Sequence, residues 1–201
     1  MLNEFRNNKI LLAYYAGSSA YGTRTETSDI DIVVVLDDLN GSMHISNEEL
    51  GIEYFVFGKE DYARKMTFNH EVSAYLKLFN DDILSVEQPI VLDESFVTDY
   101  ENYRSRDFNN LIADYTDTVI EYYQHFLSEN ALKKNMYHLY RIEKQVKTFI
   151  DTGQFQITKD ESVKEKMMVF KENYQSNSMD YMKELRDILK YLKEVRKHVT
   201  D

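Results

Sequence analysis

Gly17-Ser18-Ser19-Ala20-Tyr21-Gly22-Thr23-Arg24-Thr25-Glu26-Thr27-Ser28-Asp29-Ile30-Asp31 opens with a Gly-Ser turn directly after the apolar run Ile10–Ala16 and closes with two aspartates at the head of Val33-Val34-Val35. Residues along a strand alternate faces, so Asp29 and Asp31 project to one side while Ile30 points to the other. Two neighbouring carboxylates at an exposed strand end repel each other. A divalent cation relieves that repulsion, and Mg²⁺ commonly takes one or two carboxylates together with phosphate oxygens. A Gly-Ser pair alone is usually only a turn, and an acid-hydrophobic-acid triplet alone is often a solvated edge. Together, at this spacing and flanked by β-rich sequence, they describe a phosphate cradle beside a metal clamp.

Working outward, residues 10–16 and Asp29–Leu36 read as strands with buried β-branched and aromatic residues, with a short helical turn from Ser18 to about Tyr21 between them. Asp37-Asp38-Leu39-Asn40-Gly41-Ser42 carries a turn signal. Ile52-Glu53-Tyr54-Phe55-Val56-Phe57 reads as a third strand, expected to pair antiparallel with the second. Lys59–Phe79 has a helical pattern, and Val86–Leu92, holding the single proline Pro89, reads as an edge strand or a connector. From about Ser95 the pattern is helical. Phe108, Leu111, Tyr115, Val119 and Tyr122 recur at helical spacing, as do Leu132, Met136, Leu139, Val146 and Phe149. A last stripe runs Met182, Leu185, Leu189, Leu192, Val195 and Val199, and Gly153 has the position of a helix stop. This divides the chain into an α/β part, residues 1–95, and a helical part, residues 96–201, packed on it.

The chain of 201 residues is 43% hydrophobic and carries 16 tyrosines, enough apolar material for a core and too much for a disordered chain. It has no cysteine, which excludes disulfides and thiolate zinc sites. No stretch has the length of a membrane-spanning helix, and the apolar run before Gly17 is a strand rather than a signal peptide, so a cytoplasmic location is expected. The net charge of −11 disfavours broad, non-specific nucleic-acid binding while leaving room for a local basic groove.

The Gly17-Ser18 pair with Asp29-Ile30-Asp31 resembles the signature of the polymerase-β-type nucleotidyltransferases, whose third acid lies on a following strand; Glu53 stands in that position here. The resemblance implies an α+β fold with a mixed sheet and an Mg²⁺-dependent transfer of a nucleoside monophosphate from an NTP to an acceptor hydroxyl, with release of pyrophosphate. It also implies two Mg²⁺ ions, replaceable by Mn²⁺, bridged by Asp29 and Asp31. Glu53 would complete the metal site beside the attacking hydroxyl and receive its proton. Gly17 and Ser18 would bind the β- and γ-phosphates, and Arg24, in the loop between cradle and carboxylates, would neutralise the triphosphate or simply be solvated.

A second constellation lies in the helical part. Lys134, His138, Arg141 and Gln145 fall on one polar stripe opposite Met136, Leu139 and Val146. The stripe is either a solvated helix face or a phosphate-binding face turned to the active-site cleft. Gly17-Ser18-Ser19-Ala20-Tyr21-Gly22 and Ser28-Asp29-Ile30-Asp31, together with Lys134, His138, Arg141 and Thr152-Gly153, look like the bacterial and phage nucleotidyltransferase family named for its association with RNA ligase. That narrower resemblance implies an RNA acceptor, a tRNA or an RNA end. Transfer to a protein hydroxyl or an aminoglycoside-like small molecule stands as an alternative, as does a regulatory module that binds nucleotide without turnover.

Overall fold

A computed structural model describes residues 2–66, 83, 88–105, 116–117, 120, 133–153, 161–172 and 179–198. The chain divides into two compact units, one of residues 1–72 and 79–106, the other of residues 73–78 and 107–201.

The first unit is built on a mixed sheet of five strands: β1 (Ile10–Tyr15), β2 (Ile30–Leu36), β3 (Ser42–Asn47), β4 (Ile52–Gly58) and the short β5 (Val91–Leu92), in the order β3-β4-β2-β1-β5. β1 is antiparallel to both β2 and β5, so the segment near Pro89 leads into an edge strand. The helical turn α1 (Gly17–Tyr21) joins β1 to β2, and α2 (Lys59–Met66) follows β4 directly. Residues 67–79, the rest of the helix expected after Lys59, lie outside the described residues. A helix α3 (Val97–Arg104) closes the unit.

The structure corrects one expectation. β4 pairs with β2 in parallel, with Asp31 opposite Glu53 and Val33 opposite Phe55. The cause is β3, an additional strand directly after the turn at Asn40-Gly41-Ser42, which reverses the chain and pairs antiparallel with β4 on its outer side. The second reversal, at 47–52, is pinned by the Asn47 side-chain carbonyl accepting from the Leu50 amide at 3.2 Å and by Gly51 at φ +60°. β4 alternates buried Ile52, Tyr54 and Val56 and takes the interior position, whereas β3 is largely exposed and serves as the edge.

On one face of the sheet Ala13, Ile32, Val34, Leu36, Ile52, Tyr54 and Val56 form a core with Phe5, whose ring meets that of Tyr54 edge-on at 5.3 Å. On the opposite face α2 covers the far end of the strands. There the Tyr62 hydroxyl meets the Tyr14 hydroxyl at 3.0 Å, and the buried Lys65 ammonium lies 4.9 Å from the centre of the Phe57 ring. Gly58 is required by close approach: a Cβ there would stand 1.9 Å from the Leu39 carbonyl oxygen.

The second unit contains α4 (Lys133–Thr152), α5 (Glu161–Glu172) and α6 (Met179–His198). Between Met136 and Phe149 most positions of α4 are buried, while His138, Lys144, Lys147 and Thr148 are half-buried. It ends where expected, at Gly153, whose φ of +69° lets its amide return to the Phe149 carbonyl at 2.7 Å. The stripe Leu185, Leu189, Leu192 and Val195 of α6 is buried. The Met182 side chain and residues Phe108, Leu111, Tyr115, Val119, Tyr122, Leu132 and Val199 lie outside the described residues.

Candidate active site

One end of the sheet collects the residues of the opening motif. β1 leaves the sheet there, β2 and β4 enter it side by side because they are parallel, and β3 ends beside them. Gly17 follows β1 with φ +54°, a left-handed conformation that only glycine adopts without strain. A Cβ built on it would fall 2.0 Å from Asp31 Oδ2 and 2.9 Å from Asp31 Cγ. The Asp31 carboxylate therefore occupies the space that the missing side chain leaves, directly against the glycine turn. The neighbouring main chain is tied as well, with the Ala16 amide donating to the Asp31 carbonyl at 2.8 Å. The turn and the carboxylate, thirteen to fourteen residues apart in sequence, form one local structure.

α1 is a single turn closed by Gly22 at φ +70°, and the amides of Gly22 and Thr23 both return to the Ser18 carbonyl. Arg24 and Asp29 are exposed, Ser18 and Asp31 half-buried. The loop between them is stapled by Ser28, whose hydroxyl accepts from the Thr25 amide at 2.9 Å and pairs with the Thr25 hydroxyl at 2.7 Å. Asp29 sits at the start of β2 beside Gly51, where a Cβ would lie 3.9 Å from Asp29 Oδ1, and the Ile30 amide donates to the Gly51 carbonyl at 2.8 Å.

Glu53 is the in-register partner of Asp31 and so shares its face. Both of its carboxylate oxygens are engaged from the β3 side: Ser46 Oγ donates to Oε1 at 2.7 Å, and His44 Nε2 contacts Oε2. The His44 ring stacks on Phe55, with centroids 5.0 Å apart and planes 25° apart. The Glu53 side chain is 24% exposed and that of His44 55%. His44 and Ser46 were missed in the sequence because β3 was; their only signal was a two-residue spacing that puts both on one face of a strand.

The donor set of Asp29, Asp31 and Glu53 is all oxygen and all acidic, which fits a hard divalent cation and not a soft one. Among the described residues no three His, Asp or Glu side chains stand grouped as a ready-made metal site. Two protein carboxylates with the remaining positions left to substrate phosphate is the arrangement that Mg²⁺ commonly takes.

In the second unit Lys134, His138 and Arg141 lie on α4. Arg141 and Gln145 are buried, 1% and 0% exposed, and the Arg141 guanidinium donates to Gln145 Oε1 at 2.7 Å. This part of the stripe is thus not a solvated helix face. His138 is half-buried, and the Lys134 side chain lies outside the described residues.

A family model described as nucleotidyltransferase domain matches residues 1–104. Among solved structures, the chain is similar to a spectinomycin adenyltransferase from Enterococcus faecialis, determined with ATP and spectinomycin. The match covers 100% of this chain and 95% of that one at 15% identity, with a TM-score of 0.51, and shows a common fold. A nucleotidyltransferase-like protein from Exiguobacterium sibiricum matches 98% of this chain and 72% of its own at 10% identity and a TM-score of 0.36. No curated protein sequence matches. With a family model spanning the whole sheet, and with the glycine turn and the paired aspartates placed together at one end of it, the chain belongs to the nucleotidyltransferase domain family and is a nucleotidyltransferase of polymerase-β-like α+β fold.

Proposed function

We propose that the protein is an Mg²⁺-dependent enzyme that moves a nucleoside monophosphate from an NTP to an acceptor hydroxyl, and that the acceptor is an RNA, a tRNA or an RNA end. The observation that carries the transfer chemistry is the contact between the Gly17 turn and the Asp31 carboxylate, since it joins a phosphate-approach turn to the acid pair. The RNA acceptor rests on the resemblance of the opening motif and of Lys134, His138 and Arg141 to the RNA-ligase-associated family.

In this reading Gly17 admits the triphosphate close to the main chain, and Ser18 holds its β- and γ-phosphates. Arg24 offsets their charge from the loop. Asp29 and Asp31 would hold the cations, with Glu53 beside them on the acceptor side. When bound, Mg²⁺ would neutralise the phosphates and polarise the reacting oxygens. The acceptor oxygen forms a bond to the α-phosphorus as the bond to the bridging α–β oxygen breaks. Pyrophosphate departs with that oxygen, and Glu53 receives the hydroxyl proton. Positioning and charge carry most of such a transfer.

A second acceptor, a small cationic polyol, is favoured by the net charge of −11, which attracts a cation and repels a polyanion. The spectinomycin adenyltransferase of like fold was determined with ATP and spectinomycin. No described helix is long and apolar enough to cross a membrane.

The test is label transfer from each α-³²P-NTP, with Mg²⁺ or Mn²⁺, into total RNA, total protein and spectinomycin, with Asp29→Ala/Asp31→Ala as control. Label in RNA that the double variant loses supports the proposal. Label in spectinomycin alone replaces the acceptor, and label in none of the three overturns the proposal.

A further inference from the structure

The edge strand β3 brings two side chains to the third acid that no part of the proposed chemistry uses. β3 pairs with β4 so that Ser46 stands opposite Glu53 and His44 opposite Phe55, and strand alternation sends all four side chains to the face that carries Asp31. Ser46 Oγ and His44 Nε2 take one carboxylate oxygen of Glu53 each. Each oxygen keeps a second lone pair for another partner. The imidazole is in turn fixed by stacking on Phe55, whose own strand position is set by the parallel register with Val33. A glutamate has three side-chain torsions, and a carboxylate on a strand end explores many of their combinations. One polar partner per oxygen, a hydrogen bond from Ser46 and a close contact with His44, selects a single orientation.

We infer that His44 and Ser46 are positioning residues for nucleotidyl transfer, holding the Glu53 carboxylate in the orientation in which it meets the acceptor hydroxyl. The inference rests on the reading of Glu53 as the acid beside that hydroxyl. β3 then has a function besides closing the sheet edge: it braces the acceptor side of the site. The phosphate side is organised separately, by the Gly17 turn and the Ser28 staple. Loss of the brace therefore lowers turnover without weakening NTP binding.

The ring and the nitrogen of His44 can be separated by substitution. His44→Gln keeps an N–H donor near the Nε2 position and loses the ring; His44→Phe keeps a ring for stacking and loses the donor. With α-³²P-NTP and whichever of RNA and spectinomycin accepts label, His44→Phe and Ser46→Ala are expected to lower kcat. The loss for His44→Phe is about 10–100-fold, as for other groups that orient an active-site ligand. KM for the NTP stays unchanged, and His44→Gln recovers much of the loss. A ¹⁵N spectrum of the imidazoles, which needs no turnover, should show the His44 Nε2 resonance move in Glu53→Gln.

Three results overturn the inference. In the first, Glu53→Gln loses transfer while His44→Phe and Ser46→Ala keep it. In the second, His44→Phe is active and His44→Gln is not, which assigns His44 to stacking alone. In the third, the Nε2 resonance does not respond to Glu53→Gln. A Glu53→Gln enzyme as active as the wild type instead removes the reading of Glu53 itself, and the inference with it.

Discussion

Gly17→Ala tests the geometry on which the site depends, and its cost can be worked from two separate terms. The first is backbone strain. Residue 17 has φ +54°, and an L side chain in the left-handed region costs about 1–2 kcal/mol. The second is collision. The new Cβ would stand 2.0 Å from Asp31 Oδ2, 2.9 Å from its Cγ and 3.3 Å from its Cβ, so the carboxylate must leave its place. Forced repacking of this kind costs about 1–3 kcal/mol. Gly153→Ala isolates the first term, because Gly153 has φ +69° and nothing within 4 Å of its missing Cβ. Urea unfolding should therefore show Gly17→Ala less stable by about 2–5 kcal/mol and Gly153→Ala by about 1–2 kcal/mol. In an Asp31→Ala background the collision is relieved, and the cost of Gly17→Ala should fall to the strain term, leaving a coupling of about 1–3 kcal/mol. Label transfer should fall about 10²-fold or more in Gly17→Ala, the effect of displacing a reacting group by roughly 1 Å, and be retained in Gly153→Ala. Zero coupling between positions 17 and 31, with transfer intact in Gly17→Ala, would refute the reasoning.

Gly58→Ala should destabilise the first unit by about 3 kcal/mol or prevent its folding, since the atom it would strike is the Leu39 carbonyl oxygen of the main chain, which cannot swing aside; expression and urea midpoint decide. Ser28→Ala removes two hydrogen bonds of the loop before Asp29 and should cost about 1 kcal/mol with a higher KM for the NTP, read by unfolding and by initial rates. The hydrogen bond from Lys59 holds the Asp37 carboxyl below its ordinary value of 3.8. A lowered carboxyl stabilises the fold above its unfolded value and loses that contribution as pH falls through the folded one. Asp37→Asn should therefore lower the urea midpoint at pH 7 slightly, bring it level with the wild type at acid pH, and lose the difference at high salt, because the pair is exposed.

The opening motif was legible because its meaning is local. A glycine turn after an apolar run, and two acids with one residue between them at a strand start, take their geometry from φ and from the two-residue alternation of a strand. β1, α1, β2 and β4 follow from the same short-range rules, as does the end of α4 at Gly153. β3 escaped because Ser42-Met43-His44-Ile45-Ser46-Asn47 has little β-branched content, and an exposed edge strand needs no buried face. Missing it inverted the direction of β4, since one unseen reversal turns an antiparallel neighbour into a parallel one.

By itself, then, the sequence determined the local pattern at the N-terminal motif: which residues are acids, where glycine must stand, and that Asp29 and Asp31 bracket the first residue of a strand. The tertiary structure alone decided which partners those residues meet. It set the Asp31 carboxylate into the space left by Gly17, put Glu53 opposite Asp31 in a parallel pair, and brought His44 and Ser46 onto Glu53. It also buried Arg141 and Gln145 where helical periodicity drew a polar stripe. The physical reason is range. Turns and alternation act over a few residues, whereas strand order and the burial of a charged side chain depend on segments far apart in the chain competing for the same neighbours.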